Sequence, residues 1–343
     1  MRGRVGYVIG ALMALVVIAS AAQATTHEFY KGKTIRLIVS AAAGGGFDTY
    51  SRAIARHMGK HIPGHPTIIV ENMTGAGGII AANYVYKVAK PDGLTIGNFA
   101  GGLVSQQLLG NPGIEFDARK FEWLGVPVKD NIACALTKAS GITSLEAWKA
   151  AKTPVKLGAT GPGTNTYDTP KVLMAALGLP IHLVAGYRGT AEIRLAADSG
   201  ELAGGCWAWE SIKVTWRKAL EAGDVGIVLQ AVPTAHPELP GVPVALDLAQ
   251  TDEARQFIRA GIHDPSAMTR VYTLSPGTPK DRVQLMRKAF MATLQDKEFR
   301  AEAEKSKLDL DPVSGEEVEH TVARLFDLSP TAVAKLKEVL AAK

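Results

Sequence analysis

The chain has 343 residues, 47% of them hydrophobic and 21% charged, which excludes a disordered or collagen-like protein. Its two cysteines exclude a disulfide-built scaffold and a multi-cysteine zinc or iron–sulfur site. The formal net charge is +5, and at about 150 residues per unit the length points to two lobes.

The N-terminus changes the charge balance. Arg2 and Arg4 precede an apolar run from Val5 to Ala19, and Ala22-Gln23-Ala24 follows. This is the layout of a secretory signal peptide cleaved after Ala24. The run falls short of the roughly 20 residues a spanning helix needs. No cysteine follows it, so a lipoprotein anchor is not expected. Without residues 1–24 the chain has 319 residues, 36 of them basic and 33 acidic, a net charge of +3. The basic residues are dispersed, which argues against nucleic acid as a partner. The expectation is an exported, soluble protein of the bacterial periplasm.

From there the elements alternate. Residues 33–39 read as a strand, 48–60 as a helix, 67–70 as a strand, 79–89 as a helix and 94–98 as a strand. This β-α-β-α-β run implies parallel strands with right-handed crossovers. A link containing Val126-Pro127-Val128 and a strand-like 132–136 lead to a second run. There the strands are 155–159, 182–184, 202–207 and 225–229, and the helices 168–177, 191–199 and 212–222. Near the C-terminus a strand at 270–274 precedes a Ser-Pro-Gly-Thr-Pro turn and amphipathic helices at 281–294 and 314–326. This last segment is expected to return and complete the first lobe. The expected division is 25–130 with 266–343 as lobe 1, and 131–265 as lobe 2.

In open α/β sheets ligands bind beyond the carboxyl ends of the strands. Four glycine-bearing loops hold that position: 43–47, 74–78, 160–164 and 186–190. Each leads into a helix, where free N–H groups and the helix dipole favour an anion. Split between two lobes, they suggest an anionic ligand in an inter-lobe cleft. The phosphate-binding Gly-x4-Gly-Lys-[Ser/Thr] pattern and the Gly-x-Ser-x-Gly elbow of serine hydrolases are both absent. His57, His61 and His65 lack a completing carboxylate or cysteine, so no metal is expected. No cofactor is expected either.

Arg188, in Tyr187-Arg188-Gly189-Thr190, has the guanidinium fork that matches a carboxylate, unless it is a structural surface arginine. Asp48 either accepts from a ligand or caps the 48–60 helix. Phe47, Trp207 and Trp209 either stack on a ligand or pack in the core, the two tryptophans facing one way by strand alternation. Cys134 and Cys206 are either a disulfide or two buried thiols.

Taken together, several segments resemble one family. They are Phe29-Tyr30-Lys31-Gly32-Lys33-Thr34-Ile35-Arg36-Leu37-Ile38-Val39, Gly44-Gly45-Gly46-Phe47-Asp48 and Val70-Glu71-Asn72-Met73-Thr74-Gly75-Ala76-Gly77-Gly78. Pro91-Asp92-Gly93, Tyr187-Arg188-Gly189-Thr190 and Pro276-Gly277-Thr278-Pro279 follow in order. The set is similar to the Bug-type receptors, the solute-binding proteins of tripartite tricarboxylate transporters. That resemblance implies a type II periplasmic-binding-protein (Venus flytrap) fold, with two α/β lobes joined by two crossing strands. It also implies a monomer that captures a small organic carboxylate without chemistry and hands it to integral-membrane transporter subunits.

Carried onto this chain, the first-lobe contacts are Ala43, Gly44, Gly45, Gly46, Phe47 and Asp48 with Gly75, Ala76, Gly77 and Gly78. Those of the second lobe are Thr160, Gly161, Gly163, Thr164 and Asn165, then Arg188, Gly189 and Thr190, with Trp207 and Trp209 added as aromatics. The first loop, Ser40-Ala41-Ala42-Ala43, departs from the family pattern in lacking prolines, and Tyr167 stands near the place of a histidine. With the aromatics, these departures favour an aromatic or bulky carboxylate. A ligand-presenting partner of a membrane histidine kinase, and a periplasmic hydrolase, are the alternative readings.

Overall fold

The computed structural model describes residues 28–340, and the expected signal peptide lies outside them. Among these residues eleven strands fall in two sheets. They are β1 Thr34–Val39, β2 Thr67–Asn72, β3 Thr95–Ala100, β4 Glu122–Val126, β5 Ile132–Thr137 and β6 Val155–Ala159. Then come β7 Ile181–Ala185, β8 Gly204–Ala208, β9 Val225–Ala231, β10 Arg270–Leu274 and β11 Val313–Ser314. The first sheet has the order β11-β4-β10-β3-β1-β2 and the second β7-β6-β8-β5-β9.

The parallel part of each sheet follows the alternation in the sequence. β1 lies parallel to both β2 and β3, with the Gly46–Met58 and Ile79–Lys87 helices as crossovers. β3 is buried along its whole length, as a sheet covered on both faces requires. Apolar clusters cover the two faces of each sheet. In the first, Tyr30, Leu37 and Phe290 pack on one side and Phe99, Trp123 and Val318 on the other.

The antiparallel strands were harder to read. β4, Glu-Trp-Leu-Gly-Val, falls where the sequence suggested only a link. It carries a buried glutamate, Glu122, whose two oxygens accept from Lys280 Nζ at 2.8 Å each. The expected 212–222 helix is two helices, Trp209–Thr215 and Arg217–Ala222. The break is at Trp216, which leaves helical backbone (φ −119°, ψ 17°) to stack its ring on Trp207. The disulfide question closes as well. Cys134 and Cys206 are register partners on β5 and β8 and are bonded to each other.

The chain passes between the sheets at 127–131 and again just before β10. The two crossings are joined by Asp130 N–H donating to Ser266 C=O at 3.0 Å. The expected division puts 266–343 with the first lobe. The Pro330–Leu340 helix departs from it: Val333, Leu336, Val339 and Leu340 pack on the second-sheet core with Val172 and Ile258. Its apolar face finds its cover there, which makes a third crossing. Among the described residues no helix is long and apolar enough to cross a membrane.

Candidate functional site

The two sheets face each other across a cleft, and the glycine loops meet there. Ala42 N–H donates to Arg188 C=O at 3.0 Å, and Arg194 Nη2 donates to Gly44 C=O at 3.0 Å. Lys213 Nζ from the second side reaches Asp309 at 2.7 Å. The lobes are therefore closed on one another, around a cavity of ≈ 60 Å³.

Four helices begin around the cleft: Gly46–Met58, Asn165–Leu177, Thr190–Asp198 and Trp209–Thr215. None of the four has a side-chain hydrogen bond capping its first turn. The Trp209 N–H is taken by Asn131 C=O at 2.7 Å, while the helix N-termini keep their partial positive charge. Beside them Thr160, Thr164 and Thr166 share hydroxyl contacts of 2.9–3.0 Å.

The floor is the feature the sequence did not announce. Arg270 opens β10, is 1% exposed and lines the cavity. Its guanidinium lies over the Tyr50 ring at 4.7 Å and near that of Phe47 at 5.9 Å. Asp130 Oδ1 is 2.7 Å from Arg270 Nη1, both side chains being 2% exposed. The contact is electrostatic only, since neither atom achieves hydrogen-bond geometry, and Arg270 Nε has no partner either. Asp130 Oδ2 accepts a long bond of 3.4 Å from Asn165. Burial pushes the Asp130 carboxyl up, Arg270 pulls it down, Glu210 pushes it up, and the net direction is upward. Glu210 is itself buried, and its oxygens are held by Asn131 N–H at 3.0 Å and Nδ2 at 2.6 Å.

Two further buried donors line the same cavity without a partner in the protein, Trp207 Nε1 and Ser211 Oγ. A buried polar atom left unpaired costs about 1–3 kcal/mol. An anion accepting from Arg270, Trp207 and Ser211 would recover that cost.

The structure sorts the expected residues. Gly46, Phe47, Gly75, Gly77 and Gly78 line the cavity from one side, and Thr160, Thr164, Asn165, Gly189, Thr190 and Trp207 from the other. Arg188 also lines it, but its guanidinium pairs with Glu192 and its side chain is 68% exposed.

Asp48 is buried beneath the first loop and stays off the cavity wall. Its oxygens accept from Gly44 N–H, Arg52 and Asn72, each at 2.9 Å. Burial raises its pKa, but these bonds outweigh that and hold it low. It therefore fastens the loop, from inside the first helical turn rather than from the cap position, which Gly45 takes.

Ala43, Gly44, Gly45, Ala76, Gly161 and Gly163 do not line the cavity: Ala43, Gly44 and Ala76 are exposed, and Gly45, Gly161 and Gly163 lie where the lobes touch. Gly163 abuts Leu103 and Gln106, and a Cβ on Gly45 would lie 2.8 Å from Thr190 Oγ1. Trp209 is a correction. Strand β8 ends at Ala208, so alternation no longer applies, and the Trp209 indole turns away to donate to Glu238 at 2.6 Å. The histidines stay peripheral, with His57 on Glu302 at 2.8 Å and His61 beside Asp296 at 3.3 Å.

Arg270, Asp130, Glu210 and Ser211 were missed. One signal could have found two of them: charged residues at the ends of chain crossings lie at a cleft floor. Asp130 and Arg270 both hold such positions.

Two α/β lobes closed over a cleft lined by helix N-termini define the periplasmic-binding-protein fold, and the solved structures agree. The periplasmic binding protein BugD superposes with a TM-score of 0.72 at 21% identity, covering 90% of this chain and 98% of that one. MatC from Rhodopseudomonas palustris, solved with bound malate, gives 0.69 at 21% identity over 90% and 99%. R. palustris Rpa4515, solved with adipate, gives 0.68 at 20% identity over 90% and 98%.

By sequence, a UPF0065 protein of Bordetella pertussis is 32% identical over 200 residues, 56% of this chain and 58% of that protein. A UPF0065 protein of Bordetella bronchiseptica is 32% identical over 139 residues, 39% of this chain and 40% of that protein. The matches span between 23% and 58% of the length of the curated relatives. No family model matches the chain. The chain is thus similar in sequence to UPF0065 proteins over part of its length, and in fold to BugD and the other solved structures over 90% of it.

Proposed function

We propose that this chain is a periplasmic receptor that captures a small organic carboxylate between its lobes and delivers it to the membrane subunits of a tripartite tricarboxylate-type transporter. The observation that carries the reading is the set of buried donors that lack a hydrogen-bond acceptor and belong to residues lining one cavity, namely Arg270 Nε and Nη1, Trp207 Nε1 and Ser211 Oγ. These are matched to an oxyanion, and Arg270 supplies the charge.

The signal-peptide pattern and the solved neighbours' description as periplasmic proteins support export to the periplasm. Malate and adipate in two neighbours support an organic acid as ligand. Those neighbours are binding proteins, which supports capture rather than turnover. Phe47, Tyr187 and Trp207 on the wall support a ligand with an apolar or aromatic body. The cavity is small, so entry requires the lobes to part about the crossings at 127–131 and 264–269.

The test is a thermal-shift screen of residues 25–343 against aliphatic and aromatic carboxylates, with sugars and cations as controls. A ligand at 100 times its Kd stabilises by about 2.7 kcal/mol. Shifts with carboxylates alone are the expected result. Shifts with sugars or cations but with no carboxylate would reject the proposal.

A further inference from the structure

The floor of the cleft carries a charge problem that the proposed function leaves unsolved. Arg270 brings one positive charge, and two buried carboxylates, Asp130 and Glu210, already answer it. Among the described residues these are the charged groups that face Asp130. Tyr50 adds a titratable phenol from the Gly46–Met58 helix, and Asn165 and Thr269 add neutral contacts. A ligand carboxylate arriving at Arg270 brings a further negative charge into a dry, closed cavity. Burying a charge without compensation is prohibitive, and the usual escape is protonation.

The two acids are not equivalent. Glu210 has each oxygen fixed by a short bond from Asn131. Asp130 has a poorly aimed contact with Arg270, a long bond from Asn165 and a contact with the Thr269 hydroxyl, and it lines the cavity. Asp130 is the acid that gives way most easily. Its resting position, already shifted upward by burial, is consistent with that.

We infer that Asp130 takes up a proton as a carboxylate settles on Arg270, so that the receptor binds its anion together with one H⁺. The inference rests on the proposed carboxylate function. The proton comes from solvent and forms an O–H bond on the Asp130 carboxylate, with no other bond made or broken. Neutral Asp130 then releases Arg270 to the ligand and offers it a hydrogen-bond donor. Asp130 thereby becomes a specificity determinant, because a neutral ligand of the same shape would trigger no uptake.

Calorimetry of the mature protein with malate, adipate and benzoate tests this, in phosphate and in Tris, at pH 7 and pH 8, where these acids are fully ionised. The expected result is a binding heat that differs between buffers by up to one proton's ionisation heat, more nearly the full amount at pH 8, with Kd rising up to about tenfold from pH 7 to pH 8. In Asp130→Asn both effects disappear while a carboxylate still binds. Tight binding with no proton uptake in the wild type overturns the inference and leaves the carboxylate function standing. Uptake that persists in Asp130→Asn overturns it too. Binding of none of the three acids, with no shift by any carboxylate in the thermal screen, removes the carboxylate function and the inference with it.

Discussion

Gly77 and Gly161 meet backbone to backbone across the cleft. A Cβ on Gly77 would lie 2.9 Å from the carbonyl carbon of Gly161, and a Cβ on Gly161 would lie 2.8 Å from Gly77 N. Glycine at these loops lets one lobe approach the other, besides exposing N–H groups to a ligand.

A methyl group at this contact should therefore hold the lobes apart. Gly161 has no positive φ, so Gly161→Ala tests the contact without backbone strain. The expected outcome is an unfolding temperature close to wild type, a weaker affinity, and a radius of gyration in saturating ligand that stays at the unliganded value. Small-angle scattering measures the last of these. A ligand-induced compaction equal to that of the wild type would reject the contact's role in closure.

The two cleft arginines should behave oppositely. Arg188 is spent on Glu192 at the surface, so Arg188→Ala should leave Kd within about twofold. Arg270 is buried at the floor, and Arg270→Lys loses the fork that fits a carboxylate, so Kd should rise roughly tenfold or more. Titration calorimetry on both variants, with folding checked by circular dichroism, decides the assignment.

The Cys134–Cys206 link joins adjacent strands but closes a long stretch of chain, with a sequence separation of 72. Chain-entropy arguments put its contribution near 4 kcal/mol, about that lost on reduction. Chemical denaturation with and without a reductant should show that drop, and the double Cys→Ala variant should show it without one.

Asp168 gives a pH signature separate from ligand binding. It is buried, it accepts a hydrogen bond from Gly163 N–H at 3.2 Å, and burial pushes it from 3.8 to about 7. The folded state thus holds a proton that the unfolded state gives up near pH 4. That stability is present below the unfolded value and is lost as pH rises through about 7. Asp168→Asn keeps an acceptor for Gly163 and removes the cost of burying the charge. It should stabilise the protein at pH 8 by on the order of 2 kcal/mol and change little at pH 4. Thermal unfolding across pH measures the difference.

The alternating α/β runs were legible because glycine turns and apolar strands punctuate them, and strands 155–159 and 270–274 fall where the pattern puts them. β4 was not, because Pro127 at its end and Glu122 at its start mask a strand held by neighbours distant in sequence. The glycine loops were legible as a cleft. The guanidinium at its floor was not: Arg270 reads as an ordinary first residue of a strand until the fold sets it against Asp130. Arg188 drew attention for its loop, and only the geometry shows Glu192 holding it. Trp209 was misread because strand alternation was carried past the end of β8, where a helix begins at Trp209 itself.

The crystal structure of the mature protein with the carboxylate that stabilises it most is the most direct test of the account. A carboxylate oxygen is expected within about 3 Å of the Arg270 guanidinium, beneath closed lobes. A carboxylate bound at Arg188 on the surface, or anywhere outside the cleft, would contradict it.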